Sequence, residues 1–198
     1  MKWVEPACLP VLVNLPMAKQ FSDDEFLEFC QLNRDLRIER TAEGRLSIIP
    51  PTGFDTGRRN VEMTRQLANW AIDDGRGVAG ESSTGFRLPN GAVRAPDVSW
   101  IRADRLAAVL PDAAEGFLPL CPDFVLELRS PTDRLATVQA KMVEYMENGA
   151  QLGWLIDPSD RTVHIYRPGK PVERLRAPAS VSGEDVLPGF ELLLGEVW

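Results

Sequence analysis

The stretch Asp123-Phe124-Val125-Leu126-Glu127-Leu128-Arg129-Ser130-Pro131 decides the fold. Pro122 and Pro131 fence it, and Phe124, Val125, Leu126 and Leu128 make it apolar, the pattern of a buried strand. Glu127 interrupts that run. A bare buried carboxylate is very unfavourable, so Glu127 has to be ion-paired, hydrogen-bonded or metal-bound. Side chains alternate along a strand, which predicts that Glu127 and Arg129 leave from the same face. The next segment, Arg134 to Asn148, reads as a helix closed by Gly149, with Thr132-Asp133 as its cap. This helix carries Lys141, with Val138 and Tyr145 roughly 60° and 40° away around its axis. Lys141 therefore borders the apolar face. It either snorkels, with its ammonium in water, or reaches the rim where Glu127 sits. Upstream, Val93 to Ile101 reads as a strand containing Pro96-Asp97, and a proline there marks an edge or a bulge. Asp97 is either a turn aspartate bonding its own backbone or a second acid beside Glu127. Two acids and a base on adjacent elements of one sheet suit a divalent metal.

Working outward, Ser22-Asp23-Asp24-Glu25 opens a helix that runs to Leu32. Arg37 to Ile49 reads as two strands around a Glu43-Gly44 turn, and Pro89-Asn90-Gly91 is a hairpin turn. Thr56 is placed to cap a helix from Arg58 to Asp73. Its predicted inner face is Val61, Thr64, Leu67, Ala68, Ala71 and Ile72, widened by Met63 and Trp70. On that wheel Glu62 falls on the opposite face, with Asn69 and Asp73. Leu152 to Ile156 and Thr162 to Tyr166 form a strand pair, and a last strand lies near Glu191 to Leu194. Residues 1–20, broken by Pro6, Pro10 and Pro16, read as an irregular arm. With no repeat and no linker, residues 1–198 are expected to form a single α/β domain.

Composition excludes several classes. A net charge of -7 argues against a protein that coats nucleic acid with positive charge, though not against a local basic groove. Cys8, Cys30 and Cys121 are scattered and odd in number, which speaks against a disulfide framework or a zinc cluster and for a reducing cytoplasm. His164 stands alone, so chemistry that needs several histidines is out, and it is expected to be a surface or packing residue. No apolar run approaches the ~20 residues of a membrane span. No glycine-rich phosphate loop and no separate DNA-reading module is present.

Pro96-Asp97, followed about thirty residues later by Glu127-Leu128-Arg129, resembles the PD-(D/E)XK nuclease superfamily. The ordered segments Arg94-Ala95-Pro96-Asp97-Val98-Ser99, Asp123 to Pro131, Lys141 with Tyr145 and Gly149, Gly153-Trp154-Leu155-Ile156-Asp157-Pro158, and Leu187-Pro188-Gly189-Phe190 resemble one bacterial family in it. That family is described as putative restriction endonucleases and was formerly labelled a domain of unknown function. The resemblance covers roughly Glu39 to the C-terminus. It implies a restriction-endonuclease-like core, a mixed central sheet flanked by helices. It also implies a metal-dependent endonuclease acting on DNA. Asp97, Glu127 and the carbonyl of Leu128 would hold Mg²⁺ or Mn²⁺, Lys141 would orient or deprotonate a water, and Arg129 would grip a phosphate. Arg129 stands where the superfamily has a lysine, and arginine cannot act as a base; in the nearer family a helical lysine takes that place, hence Lys141. Many relatives carry a histidine where this chain has Arg59-Asn60. Glu62 would be the extra acid that some members place on that helix. A homodimer is expected from the family, with Trp3, Leu9, Val11 and Val13 of the arm available to cover a partner. The rival expectation is a catalytically silent nucleic-acid or protein interaction domain with the same fold. An enzyme acting on a small phosphorylated molecule is a third.

Overall fold

The computed structural model describes residues 11–13, 21–113 and 116–198. Trp3 and Leu9 of the expected dimer-covering arm lie outside them, as does Cys8. The strands are β1 (Val11–Val13), β2 (Arg37–Arg40), β3 (Leu46–Ile49), β4 (Gly77–Glu81), β5 (Phe86–Arg87), β6 (Val93–Arg94) and β7 (Val98–Arg102). They continue as β8 (Phe124–Leu128), β9 (Leu152–Asp157), β10 (Thr162–Tyr166), β11 (Glu173–Arg176), β12 (Ser180–Ser182) and β13 (Glu191–Leu193). The helices are α1 (Asp23–Leu32), α2 (Phe54–Asp74), α3 (Ala103–Ala113) and α4 (Leu135–Glu147).

The large sheet runs β11-β10-β9-β8-β7-β4. All its pairs are antiparallel except β8 with β9, where α4 supplies the crossover that parallel strands need. A second sheet runs β1-β3-β2-β6-β5, and β12 pairs with β13. This is the mixed α/β sheet expected from the sequence. β8 is central and buried throughout, Glu127 included. One face of the large sheet packs Val98, Trp100, Phe124, Leu126 and Trp154 against Met63, Leu67 and Ala71 of α2 and the C-terminal hairpin. The other face packs Val125 and Leu155 against Val138, Met142 and Tyr145 of α4. Gly153 lets α4 settle on β9, since a Cβ there would come 2.6 Å from Met142 Cε.

The strand expected from Val93 to Ile101 is two strands in two sheets. Pro96 has no N–H for the ladder, so β6 ends at Arg94, β7 begins at Val98, and Ala95-Pro96-Asp97 crosses from the small sheet to the large one. α1 carries the expected capping box: Glu25 N donates to Ser22 Oγ and Ser22 N to Glu25 Oε2. α2 begins four residues before the expected Arg58, with Gly53 at its N-cap, and Thr56 is buried inside it. Its inner face is also turned: Met63, Leu67 and Ala71 are buried, while Val61 and Ile72 are 68% and 78% exposed. Trp70 explains the turn. Its ring packs 5.8 Å from Trp100 and 5.4 Å from Phe190, and a large aromatic surface outweighs two aliphatic ones. α4 has no side-chain cap. Asp133 instead accepts from Ser130 N, closing the turn before the helix. Part of the expected irregular arm is the edge strand β1, paired with β3. The tail holds β11 and β12 as well as the strand expected near Glu191. His164 is a packing residue, buried in β10.

Candidate active site

Three elements converge where the small sheet meets the large one. β8 brings Glu127, and α4 brings Lys141 and Tyr145. The crossing Ala95-Pro96-Asp97 brings Asp97, whose Oδ2 accepts from Leu128 N at 2.9 Å, so that the acid is fixed at the end of β8. Lys141 Nζ donates to Glu127 Oε1 at 2.9 Å and lies within 6 Å of the Tyr145 ring. It does not snorkel into water. Tyr145 Oη donates to the same Glu127 oxygen at 3.0 Å.

A residue of the small sheet completes the cluster. Glu39 of β2 is buried, and its Oε1 accepts from Lys141 Nζ at 2.9 Å and from Ala95 N at 3.1 Å. Arg94 Nη1 donates to its Oε2 at 3.2 Å, and Arg94 Nε donates to Glu144 of α4 at 2.6 Å. Arg37, two residues before Glu39, faces Asp97 Oδ1 at 3.6 Å and donates to the Ala95 carbonyl at 2.6 Å. From α2, Asn60 Nδ2 approaches Asp97 Oδ1 at 3.4 Å, while Arg59 donates to the Val197 carbonyl. Of the Arg59-Asn60 pair, it is Asn60 that meets the acid.

The electrostatics divide the two glutamates. Burial pushes Glu127 up, and the charges of Asp97 and Glu39 add to this. Lys141 pulls the other way but not far enough, and the carboxyl stands at about 7. Burial acts upward on Glu39 too, but Lys141, Arg94 and Arg37 together outweigh it and bring the carboxyl down to about 2. Burial alone would lower Lys141. Its two carboxylate partners prevail, and the ammonium is held above its ordinary range. Burial and the same two acids keep the Tyr145 phenol protonated far into alkali.

Two other sequence candidates stand apart from this cluster. Arg129 Nη1 donates to Asp157 Oδ2 at 2.6 Å and its Nε to the Asp133 carbonyl, so its described contacts tie the end of β8 to β9 and the loop before α4. Glu62 is bonded on its own helix by Arg65, at 2.6 Å, and by Gln66, which also holds the Leu193 carbonyl. Its described contacts do not include Asp97 or Glu127.

The oxygens at the end of β8 suit a hard divalent cation, which prefers carboxylate and carbonyl ligands. Among the described residues no three His, Cys, Asp or Glu side chains converge as a ready ligand set. A shell here has to be two carboxylates with neutral oxygens. Asn60, whose Nδ2 approaches Asp97, also carries a buried Oδ1 without a hydrogen-bond partner. The donor set therefore fits Mg²⁺ or Mn²⁺.

Sequence reasoning missed Glu39 and gave Tyr145 no role. The signal for Glu39 was a carboxylate in the short strand Arg37-Ile38-Glu39-Arg40. Tyr145 was legible as the residue one helical turn beyond Lys141.

Fold and site together are a mixed sheet carrying paired acids at a central strand end, with a lysine beside them. The chain matches the family model Uma2, described as "Putative restriction endonuclease", over residues 23–195, and it belongs to that family. Among solved structures it is similar to "a putative nuclease belonging to DUF820 from Anabaena variabilis ATCC 29413". The two share 21% identity with a TM-score of 0.68, over 81% of this chain and 88% of that one, a likeness of fold. A comparison with curated proteins gave no match.

Proposed function

We propose that the protein is a metal-dependent endonuclease that hydrolyses DNA phosphodiester bonds. The observation that carries this reading is Glu127. It is a buried carboxyl in the central strand, held by Lys141 and Tyr145 next to the Leu128 amide that fixes Asp97, and burial raises it to about 7, which marks a candidate functional acid. Asp97, Glu127 and the carbonyl of Leu128 would hold Mg²⁺ or Mn²⁺, with Asn60 Oδ1 as a further oxygen. Such an ion, when bound, lowers the pKa of a water and polarises the phosphate. The chain's own residues supply the rest. Lys141 keeps a full positive charge where negative charge grows on the phosphate. Tyr145 holds the Glu127 oxygen that faces Lys141. Arg129, fixed by Asp157 with 22% of its side chain open, would offer that open part to a phosphate. Two copies would cut both strands.

One observation favours the silent interaction domain instead: Asp97 and Glu127 already have cationic partners within the chain, Arg37 and Lys141. Incubation with plasmid and single-stranded DNA decides between them. Cleavage with Mg²⁺ or Mn²⁺ that EDTA abolishes supports the nuclease. Binding without any cleavage in either metal supports the interaction domain.

A further inference from the structure

We propose that Glu39 is a positioning residue for Lys141, holding the ammonium against Glu127 from the opposite sheet. The inference rests on the nuclease reading for its consequence in catalysis, but not for its geometry. Glu39 is 3% exposed, and its described partners are all groups of the site: Lys141, Arg94 and the Ala95 amide next to Pro96-Asp97. One carboxylate thus grips both the lysine and the crossing that carries the first acid. Lysine has three donors on a flexible four-carbon stem and no preferred direction of its own. Two carboxylate oxygens, each 2.9 Å from Nζ, define a direction that the stem cannot. Arg94 locks the arrangement from α4, because Glu144, which it also binds, lies one turn beyond Lys141 on the same helix.

A purely structural tie between the sheets would affect folding alone. A positioning role shows in the lysine itself and in the chemical step. The test uses the full chain with ¹⁵N-labelled lysine, in Glu39→Gln, Glu39→Asp, Lys141→Met and Glu39→Gln/Lys141→Met. In the wild type, Lys141 is expected to give a slowly exchanging ammonium resonance, assigned by its absence from Lys141→Met. Glu39→Gln is expected to lose that resonance, and Glu39→Asp to shift it while keeping part of the rate. The single-turnover rate of Glu39→Gln should fall about 10- to 100-fold, the scale of a misplaced catalytic group, with DNA affinity unchanged. The double variant should be no slower than Lys141→Met, since Glu39 acts through the lysine. An unchanged ammonium resonance in both Glu39 variants overturns the proposal, and so does a double variant slower than Lys141→Met by the full Glu39→Gln factor. If the wild type cleaves no DNA, the nuclease reading fails, and the ammonium resonance still decides the positioning. Should Glu39→Gln fail to fold, the Glu39→Asp resonance carries the same decision.

Discussion

The small sheet and the large sheet meet at one ammonium and offer it different carboxylates. Glu39 and Glu127 are both buried, and each has an oxygen 2.9 Å from Lys141 Nζ. Yet Glu39 is held at about 2 and Glu127 rises to about 7. The difference lies in the remaining neighbours. Glu39 has Arg94 and Arg37 as further cationic neighbours and the Ala95 amide as a further donor, so it stays charged down to about 2. Glu127 has one neutral phenol and faces the charges of Asp97 and Glu39. On the proposed reading the two acids divide two tasks, the small-sheet acid fixing a cation of the protein and the large-sheet acid binding one from solution.

The contrast is sharpest in metal-dependent cleavage. Asp97→Asn and Glu127→Gln should each abolish it and leave the fold intact. Calorimetric Mn²⁺ binding as strong in the variants as in the wild type would break the assignment. Lys141→Met should reduce the single-turnover rate at saturating Mg²⁺ by about 10²–10³-fold, the usual loss when a fixed charge at the reacting phosphate is removed. Lys141→Arg should also be slow, because a planar guanidinium cannot sit between the two carboxylates as an ammonium does. A Lys141→Met enzyme as fast as the wild type would take the lysine out of the mechanism.

Stability should separate the two acids by sign. Glu39→Gln leaves Lys141 and Arg94 buried with less counter-charge, an expected loss of about 3–5 kcal/mol. Glu127→Gln at pH 8 without metal removes a charge that burial disfavours and that Asp97 and Glu39 repel, set against the loss of its pairing with Lys141, an expected gain of about 1–3 kcal/mol. Their pH dependences run in opposite directions. Glu127 titrates higher in the folded chain than its ordinary 4.5, so the fold takes up the proton first and gains stability as pH falls from about 7 to 4.5. Glu39 titrates lower, so its contribution is complete above 4.5 and is lost as pH falls towards about 2. Metal-free protein should therefore melt highest near pH 4.5 to 5 in these two contributions, and Glu127→Gln should flatten the upper limb alone. A thermal denaturation series from pH 3 to pH 8 reads both. The smallest effect is expected from Arg129→Lys, which keeps a charge beside Asp157 and should retain much of the single-turnover rate while weakening DNA binding a few-fold. A loss matching that of Lys141→Met would move Arg129 into the centre of the chemistry.

The sequence on its own established that Glu127 needs a partner, because a carboxylate inside an apolar strand is not tolerated bare. It also placed Lys141 at the border of its helix face, since helical spacing alone sets that angle, and it marked Pro96 as an edge or bulge within one strand, though not as the crossing between two sheets. What it could not supply was Glu39, whose lysine partner lies 102 residues away in the chain. Nor could it show that Arg129 turns to Asp157, that Trp70 rotates α2, or that Asn60, rather than Glu62, meets Asp97. Burial of the β2 acid, and the opposite titration of two similar glutamates, come from how two sheets close on one helix. Local periodicity fixes where a side chain leaves its own element; the charges it meets are decided only when distant elements pack.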